Sequence, residues 1–230
     1  MTFDKSKALI IFDCDGVLID SEIIAARLEA EIVNSWGHSI TAQEICVRFA
    51  GVPTKIVWET LAAEINHQID ENFLDEYRAL AKATFAKELQ PIKGAKDFLS
   101  QLRLPFCVAS TTKKTELEIN LKTTNLHDFF SPNIFSASQV KRPKPNPDVF
   151  LFAASQMGHD PKDCIVIEDS SAGIIAAKRA GMNVIAFGGG SHIAQNNYEK
   201  IMAHGALDYF TDFAQLKEKL FNNFGNDFTF

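Results

Sequence analysis

The chain has 230 residues, of which 46% are hydrophobic and 23% charged, a composition typical of a globular protein with enough apolar side chains for a large core. Its formal net charge of -6 argues against nucleic acid and anionic membrane surfaces as partners, and no apolar run is long enough to span a bilayer. We therefore expect a cytoplasmic protein. None of its four cysteines has metal-ligand spacing, and Cys107 and Cys164 lie in apolar runs, so we expect these two to be reduced core residues.

The first predicted strand is the apolar run at residues 8–12, which ends directly on an acidic motif. Residues i and i+2 of an extended chain point the same way, so Asp13 and Asp15 can face one site, and Gly16 lets the backbone turn away. Two carboxylates this close repel each other unless a cation or a proton lies between them, and Mg²⁺ suits both oxygen ligands and phosphate substrates. A polar strand end followed by a turn glycine is the alternative, and it stays open at this point.

A helical block follows, with no strand candidate before the next apolar run. Apolar residues recur at helical spacing in segments 20–36, 42–49, 54–66 and 70–88. Thr41 and Glu44 form a predicted capping box. The block is too long for a crossover connection, so we predict a helical cap domain at residues 19–88, inserted into a core of residues 1–18 and 89–230. Such an insert would lie over the carboxyl ends of the sheet, where open α/β folds bind ligands.

The later part of the chain alternates between predicted strands and helices. Apolar runs predict four further strands, at residues 105–109, 133–136, 164–167 and 183–187. They are apolar throughout, which is typical of parallel strands covered on both faces. Helical patterns lie between the last three, one with Asn146 as N-cap and an end near Gly158, the other over residues 170–179. We therefore predict an α/β fold with a Rossmann-like parallel sheet.

Two polar segments after these strands are candidates for phosphate binding. Ser110 and Thr111 close the second strand, and a hydroxyl with free N–H groups at a helix start can hold phosphate oxygens, although such residues often serve only as N-caps. Lys144 lies between prolines in the segment at residues 142–148, which keep the loop extended and fix the direction of the lysine. Its compact charge suits a phosphoryl group, and a solvated lysine on a rigid surface loop is the alternative.

The strand at residues 164–167 ends on a second acidic pair, Glu168 and Asp169. Asp169 alone could cap the following helix, but capping does not need two adjacent acids, so we favour metal binding. A glycine triplet at residues 188–190 precedes His192 but lacks the spacing and the lysine of a phosphate-binding loop. We expect a flexible loop there, and we assign no role to any histidine.

These motifs, in this order, resemble those of haloacid dehalogenase (HAD) superfamily phosphatases with a helical cap of the first type. D-C-D-G-V-L-I-D-S-E at 13–22 resembles the first motif, Ser110 the second, Lys144 the third and E-D-S-S-A-G at 168–173 the fourth. The resemblance covers nearly the whole chain and is greatest to the β-phosphoglucomutase-like group, especially the bacterial 6-phosphogluconate phosphatases. Pro143 is a departure, because the family usually has glycine before the lysine.

The resemblance implies a Mg²⁺-dependent phosphatase acting on a small phosphorylated metabolite. Asp13 would attack phosphorus, and Asp15 would protonate the leaving oxygen and then activate water. The metal would be held by the Asp13 carboxylate, the Asp15 backbone carbonyl and Asp169, with Glu168 close by or ligating. Phosphate oxygens would be held by Ser110, Thr111 and Lys144. If the chain winds outward through three strands and returns beside the first, both acidic pairs meet at the switch point of the sheet.

Three alternatives compete with a phosphatase. A signalling receiver module also gathers acids, a hydroxyl and a lysine around Mg²⁺, but it is about half this length and lacks the helical insert. A sugar phosphomutase of the same family would carry a histidine and a lysine where this chain has Ala25 and Ala50, which favours hydrolysis. A dehalogenase would not need the acidic pair Glu168 and Asp169 for a metal.

The substrate prediction depends on basic residues of the cap. Arg48 and Lys55, with Arg78 on a later helix, would pair with a substrate carboxylate if they faced inward, which suits 6-phosphogluconate. The alternative is that all three are solvated surface charges. Nothing in the pattern indicates the oligomeric state.

Overall fold

The core of the protein is a six-stranded sheet in the order β3-β2-β1-β4-β5-β6, in which all neighbouring strands are parallel. The computed structural model describes residues 7–193 and 198–224. The strands are β1 Leu9–Phe12, β2 Phe106–Ser110, β3 Ile134–Ser136, β4 Cys164–Glu168, β5 Asn183–Phe187 and β6 Tyr209–Phe210. The predicted α/β fold and its five strands are confirmed. The sixth was not predicted, because two half-buried residues make no apolar run.

Helices cover both faces of this sheet. They are α5 Ala95–Gln101, α6 Lys114–Thr123, α7 His127–Phe130, α8 Asp148–Met157, α9 Ser171–Arg179, α10 Tyr198–Met202 and α11 Phe213–Phe224. Ile10 and Phe12 of β1 pack in the apolar cluster with α5, α6, α7 and α11, while Leu9 and Ile11 pack in the cluster with α8, α9 and α10. All four side chains are fully buried, which explains why the strand is apolar throughout instead of alternating.

The two ends of α8 differ in how well they follow the prediction. The helix begins at Asp148 with Pro147 in the N-cap position, so the predicted N-cap at Asn146 is wrong. The side-chain amide of Asn146 instead donates a hydrogen bond to the Pro143 carbonyl at 3.1 Å and closes the preceding turn. At the other end Gly158 adopts a left-handed conformation with φ of 73°, which confirms the predicted helix end.

Four further helices form a layer with its own apolar cluster. They are α1 Ser21–Ser35, α2 Ala42–Phe49, α3 Thr54–Glu64 and α4 Phe73–Glu88, one in each predicted helical segment. Trp58 is completely buried at the centre of the cluster. Its ring lies 4.7 Å from that of Phe73, 5.0 Å from that of Tyr77 and 5.7 Å from that of Trp36. The predicted capping box of Thr41 and Glu44 is present at the start of α2.

The two connections between this helical layer and the sheet run side by side. The Asp20 amide donates to the Gln90 carbonyl at 3.1 Å, and the Ile92 amide donates to the Leu18 carbonyl at 2.9 Å. A separate apolar cluster and paired connections support our proposal that residues 19–88 form a cap domain, and we use the term cap for them below. No helix in the described part of the chain is both long and apolar enough to cross a membrane.

Candidate active site

The two acidic motifs meet at the carboxyl end of the sheet, because β1 lies between β2 and β4. The Asp13 amide donates to the Ile167 carbonyl at 2.9 Å, which places Asp13 beside the end of β4. Asp13, Glu168 and Asp169 are all buried, and one carboxylate oxygen from each lies within 4.8 Å of the others. The predicted neighbourhood of the two acidic pairs is thus present at the switch point of the sheet.

Lys144 is the cation of this cluster. Its ammonium donates to Glu168 Oε2 at 2.8 Å and lies 2.9 Å from Asp13 Oδ1, and its side chain is only 3% exposed. It also lies 4.7 Å from the ring centroid of Phe150. Burial alone would lower the pKa of Lys144, but the charges of Asp13 and Glu168 outweigh it and raise that pKa, so the ammonium stays charged. The alternative of a solvated lysine on the surface is wrong.

Glu168 anchors this lysine and the start of α9 at the same time. Its other oxygen, Oε1, accepts hydrogen bonds from the Asp169 amide, the Ser170 amide and the Ser170 hydroxyl. Burial would raise the pKa of Glu168, but Lys144 and these donors lower it, so the carboxylate is ionised. A Cβ at Gly173 would lie 1.9 Å from Glu168 Cδ, so only glycine lets α9 approach this carboxylate.

Asp15 lies outside the carboxylate cluster, and three side-chain hydroxyl groups donate hydrogen bonds to it. Ser21 Oγ donates to its Oδ1 at 2.7 Å, and Thr112 Oγ1 and Ser110 Oγ donate to its Oδ2 at 2.7 Å and 3.2 Å. Ser110 is therefore at the site as predicted, whereas Thr111 is exposed. Ser21 and Thr112 were missed by sequence reasoning. Thr112 lies two residues after Ser110, and in an extended chain this spacing would have indicated that both side chains point toward the same site.

The carboxylate cluster has the properties of a divalent cation site. Burial and the charge of Glu168 raise the pKa of Asp13 and of Asp169, because one lysine does not balance this many acids. Asp13 Oδ1 accepts no well-aligned hydrogen bond from the described residues. Oxygen donors alone are the ligand set of a hard cation. Asp13, Glu168 and Asp169 therefore fit a divalent metal ion, while a ligand role for the Asp15 carbonyl stays a prediction.

Gly16 is essential to this packing. Its φ of 75° is a conformation that side chains rarely adopt, and a Cβ there would lie 2.0 Å from Asp169 Oδ2. Glycine is therefore required at position 16 for two reasons, the close approach of Asp169 and the backbone conformation of the turn.

His192 is a site residue that sequence reasoning missed. Its Nε2 lies 2.9 Å from Asp169 Oδ2, and its side chain is 10% exposed. Burial lowers the pKa of His192, so the neutral ring donates its Nε2 proton to the carboxylate. The expected flexible loop at residues 188–190 is instead closely packed: a Cβ at Gly188 would lie 1.9 Å from Tyr209 Oη. The histidine is far from every motif in sequence, so only the fold could reveal it.

The basic cap residues are paired within the cap. Arg48 forms an ion pair with Glu64, and Lys55 lies 3.7 Å from Glu59 with 71% of its side chain exposed. Arg78 likewise pairs with Asp75 at 2.7 Å on the following helix. Their partners among the described residues are acids of the cap rather than groups of the site. Their predicted contact with a substrate therefore remains a prediction.

Glu22 is a charged residue of the cap that interacts electrostatically with the acids of the site. It lies in the first turn of α1, beside Ser21, and reaches solvent. The surrounding protein, together with the charges of Asp15 and Asp169, raises the pKa of Glu22 to about 7. The cap thus contributes an acid within electrostatic reach of the site.

A buried lysine among carboxylates at the switch point of a parallel sheet is typical of an α/β protein that handles phosphoryl groups. Residues 10–187 match the haloacid dehalogenase-like hydrolases, and the chain belongs to that family. Several similar proteins in this family are phosphatases, and this chain is a phosphoric monoester hydrolase.

Similar proteins cover most of the chain. It is 30% identical to a 6-phosphogluconate phosphatase of Escherichia coli over 91% of this chain and 92% of that protein. It is 31% identical to a phosphorylated carbohydrates phosphatase of Thermotoga maritima over 76% of this chain and 82% of that one. A solved haloacid dehalogenase-like protein from Agrobacterium tumefaciens is 35% identical, with a TM-score of 0.88, and covers 96% of this chain and 99% of that one.

Proposed function

We propose that the protein is a Mg²⁺-dependent sugar-phosphate phosphatase that works through an aspartyl phosphate on Asp13. The observation that carries this proposal is the position of Asp13, buried beside Lys144 and the second acidic pair, with Asp15 held nearby by hydroxyls. A protein that only bound phosphate could do so through Lys144, the hydroxyl groups and a metal ion held by Glu168 and Asp169, without a carboxylate oxygen beside the phosphoryl group. A nucleophile does need to be there.

In the first half of the reaction an Asp13 oxygen attacks phosphorus and the bond from phosphorus to the ester oxygen breaks. Asp15 donates its proton to that departing oxygen. Lys144 balances negative charge on the phosphoryl oxygens. The Ser110 hydroxyl makes the longest of the three bonds to Asp15, at 3.2 Å, so it is the donor most easily released to a phosphate oxygen.

In the second half Asp15 accepts a proton from water as the water oxygen attacks phosphorus. The bond between phosphorus and Asp13 breaks, which restores the carboxylate and releases inorganic phosphate. Mg²⁺, held by Asp13, Asp169 and Glu168, would supply positive charge that keeps the Asp13 carboxylate ionised and offsets its repulsion from the phosphate. Closure of the cap over the site would exclude bulk water and strengthen these charge interactions.

Within sugar phosphates we propose 6-phosphogluconate as the first substrate to test, because a relative of similar length is named for that activity. The paired state of Arg48 and Lys55 gives this choice no support from the cap. Above pH 7, where Glu22 is ionised, it would in addition repel a substrate carboxylate. Neutral sugar phosphates such as glucose 6-phosphate therefore belong in the same experiment.

The test is phosphate release by the wild type and by Asp13→Asn over a panel of sugar phosphates and sugar-acid phosphates. We expect Mg²⁺-dependent release that EDTA abolishes and added Mg²⁺ restores, and no turnover by Asp13→Asn. Asp75→Asn is the matched control, because that aspartate is exposed on α4 and pairs only with Arg78 among the described residues. Interconversion of β-glucose 1-phosphate and glucose 6-phosphate with little free phosphate would identify a phosphomutase and overturn the proposal.

Glu22→Gln separates the two substrate classes. Assayed above pH 7, where Glu22 is ionised, the substitution removes a negative charge from the cap, so it should raise kcat/KM for 6-phosphogluconate relative to glucose 6-phosphate. An equal effect on both substrates would mean that Glu22 does not face the sugar.

A further inference from the structure

Residues 188–193, called the glycine loop below, connect the sheet, the acid cluster and the cap. The loop leaves the end of β5, and its Ser191 amide donates to Asp20 Oδ1 at 2.9 Å while the Ser191 hydroxyl donates to Asp20 Oδ2. One residue on, Gln43 of α2 donates to the His192 carbonyl at 3.3 Å. The His192 side chain then points the other way, to Asp169 Oδ2 at 2.9 Å. A single short segment thus contacts both the cap and the site.

The glycine loop is shaped around the histidine ring. A Cβ at Gly190 would lie 2.6 Å from His192 Nδ1 and 2.9 Å from the Gly16 carbonyl, and a Cβ at Gly16 would lie 2.7 Å from His192 Cε1. The ring is therefore held between two glycines of different motifs. Its Nδ1 is buried and has no hydrogen-bond partner in the described residues, so the Asp169 carboxylate is the polar contact that fixes its orientation.

We propose that His192 is a positioning residue for the metal, which holds the Asp169 carboxylate in the orientation that a divalent cation needs. This inference rests on the proposed function. A carboxylate has two oxygens, so Asp169 can accept a hydrogen bond from His192 on Oδ2 and still offer an oxygen to the ion. Groups that hydrogen-bond a metal ligand typically change metal affinity by about 10- to 100-fold when they are removed.

The glycine loop also makes the position of His192 depend on the cap. Two of its contacts, with Asp20 and Gln43, lie at the start and on the second helix of the cap. Loss of either contact would loosen the backbone that carries the His192 ring. We therefore expect Asp20 to influence metal affinity although it is not a ligand.

The experiment is a calorimetric titration of substrate-free protein with MgCl₂, which measures metal binding without turnover. His192→Leu should bind Mg²⁺ about tenfold more weakly or worse than the wild type. His192→Gln should retain most of the affinity, because the glutamine amide nitrogen can occupy nearly the position of Nε2 and donate to Asp169. Asp20→Ala should weaken binding in the same direction. The control is His127→Leu, at a partly buried histidine of α7 that pairs with Asp128. Circular dichroism confirms that each variant is folded.

The outcomes are distinct. A wild type that does not bind Mg²⁺ would overturn the metal in the proposed function and this inference with it. A wild type that binds, together with His192→Leu of unchanged affinity, would overturn this inference alone. Equal losses in His192→Leu and His192→Gln would show that the hydrogen bond is not what matters, which also overturns it. Unchanged affinity in Asp20→Ala would remove the dependence on the cap.

Discussion

A buried acid in the cap offers a sharp test of the packing described here. Glu29 of α1 is 9% exposed, and its Oε1 accepts a hydrogen bond from Tyr77 of α4 at 3.1 Å. Burial raises the pKa of Glu29 from its usual value of 4.5 to about 7, although the Tyr77 hydroxyl opposes this. The folded protein therefore holds the Glu29 proton more tightly than the unfolded chain does. This part of the stability is present below pH 4.5 and is lost as the pH rises through 7.

The perturbation is Glu29→Gln, which keeps an acceptor for Tyr77 and removes the charge. A pKa that rises by about 2.5 units corresponds to about 3.4 kcal/mol at high pH, of which about 2.5 kcal/mol falls between pH 5 and pH 8.5. We therefore expect the free energy of unfolding of the variant to gain about 2.5 kcal/mol on that of the wild type over this interval. Glu31→Gln, an exposed acid on the same helix that pairs with Arg27, should show a change of less than about 0.5 kcal/mol.

The assay is urea unfolding followed by tryptophan fluorescence at pH 5 and pH 8.5. Both tryptophans, Trp36 and Trp58, lie in the cap, and the Trp58 ring is 5.0 Å from that of Tyr77, so the signal reports on the relevant packing. A difference between Glu29→Gln and the wild type that stays constant across the two pH values would refute the reasoning.

Three further predictions concern the site. Gly173→Ala should destabilise the protein by about 1–3 kcal/mol in thermal or urea unfolding, because the added Cβ would overlap Glu168. Helix propensity alone predicts the opposite, a gain in stability of about 1 kcal/mol, so a stabilised Gly173→Ala would contradict the structure. Ser171→Ala is the control in the same helix. Lys144→Met should lower the free energy of unfolding by about 3 kcal/mol and abolish phosphate release, because it leaves Asp13 and Glu168 without the ammonium that balances them. Lys55→Met, at an exposed lysine of the cap, should change neither stability nor activity appreciably. A stable and active Lys144→Met would refute this prediction. Thr112→Val removes a 2.7 Å donor from Asp15 and should lower kcat more than it raises KM in steady-state assays, and unchanged kcat would mean that Thr112 does not position the acid–base group.

Local patterns were sufficient for the elements and for the residues that follow strands. Asp13 and Glu168 each end an apolar run, and a parallel sheet brings such ends to one edge, so their meeting followed from strand order. The capping box of Thr41 followed from local chemistry alone. Asn146 failed as an N-cap because its amide is used by the preceding turn, a competition that the sequence pattern does not reveal.

The contacts that could not be predicted are those made between distant segments. His192 reaches Asp169 only because the end of β5 lies next to that of β4, and no spacing rule links the two residues. Arg48 was expected to meet a substrate, but the structure shows it paired with Glu64 of the next helix. The helical spacing of apolar residues in 42–49 predicts α2, but it does not predict which side chain of another helix the polar face of α2 meets.

The central claim, a covalent intermediate on Asp13, is tested most directly by trapping it. Enzyme mixed with radiolabelled sugar phosphate and Mg²⁺ is quenched in acid within the first turnover, and the labelled peptide is identified. We predict label on the peptide that contains Asp13, its loss on longer incubation as phosphate appears, and no label on Asp13→Asn. Phosphate release without any labelled protein at early times, or turnover by Asp13→Asn near the wild-type rate, would contradict the account.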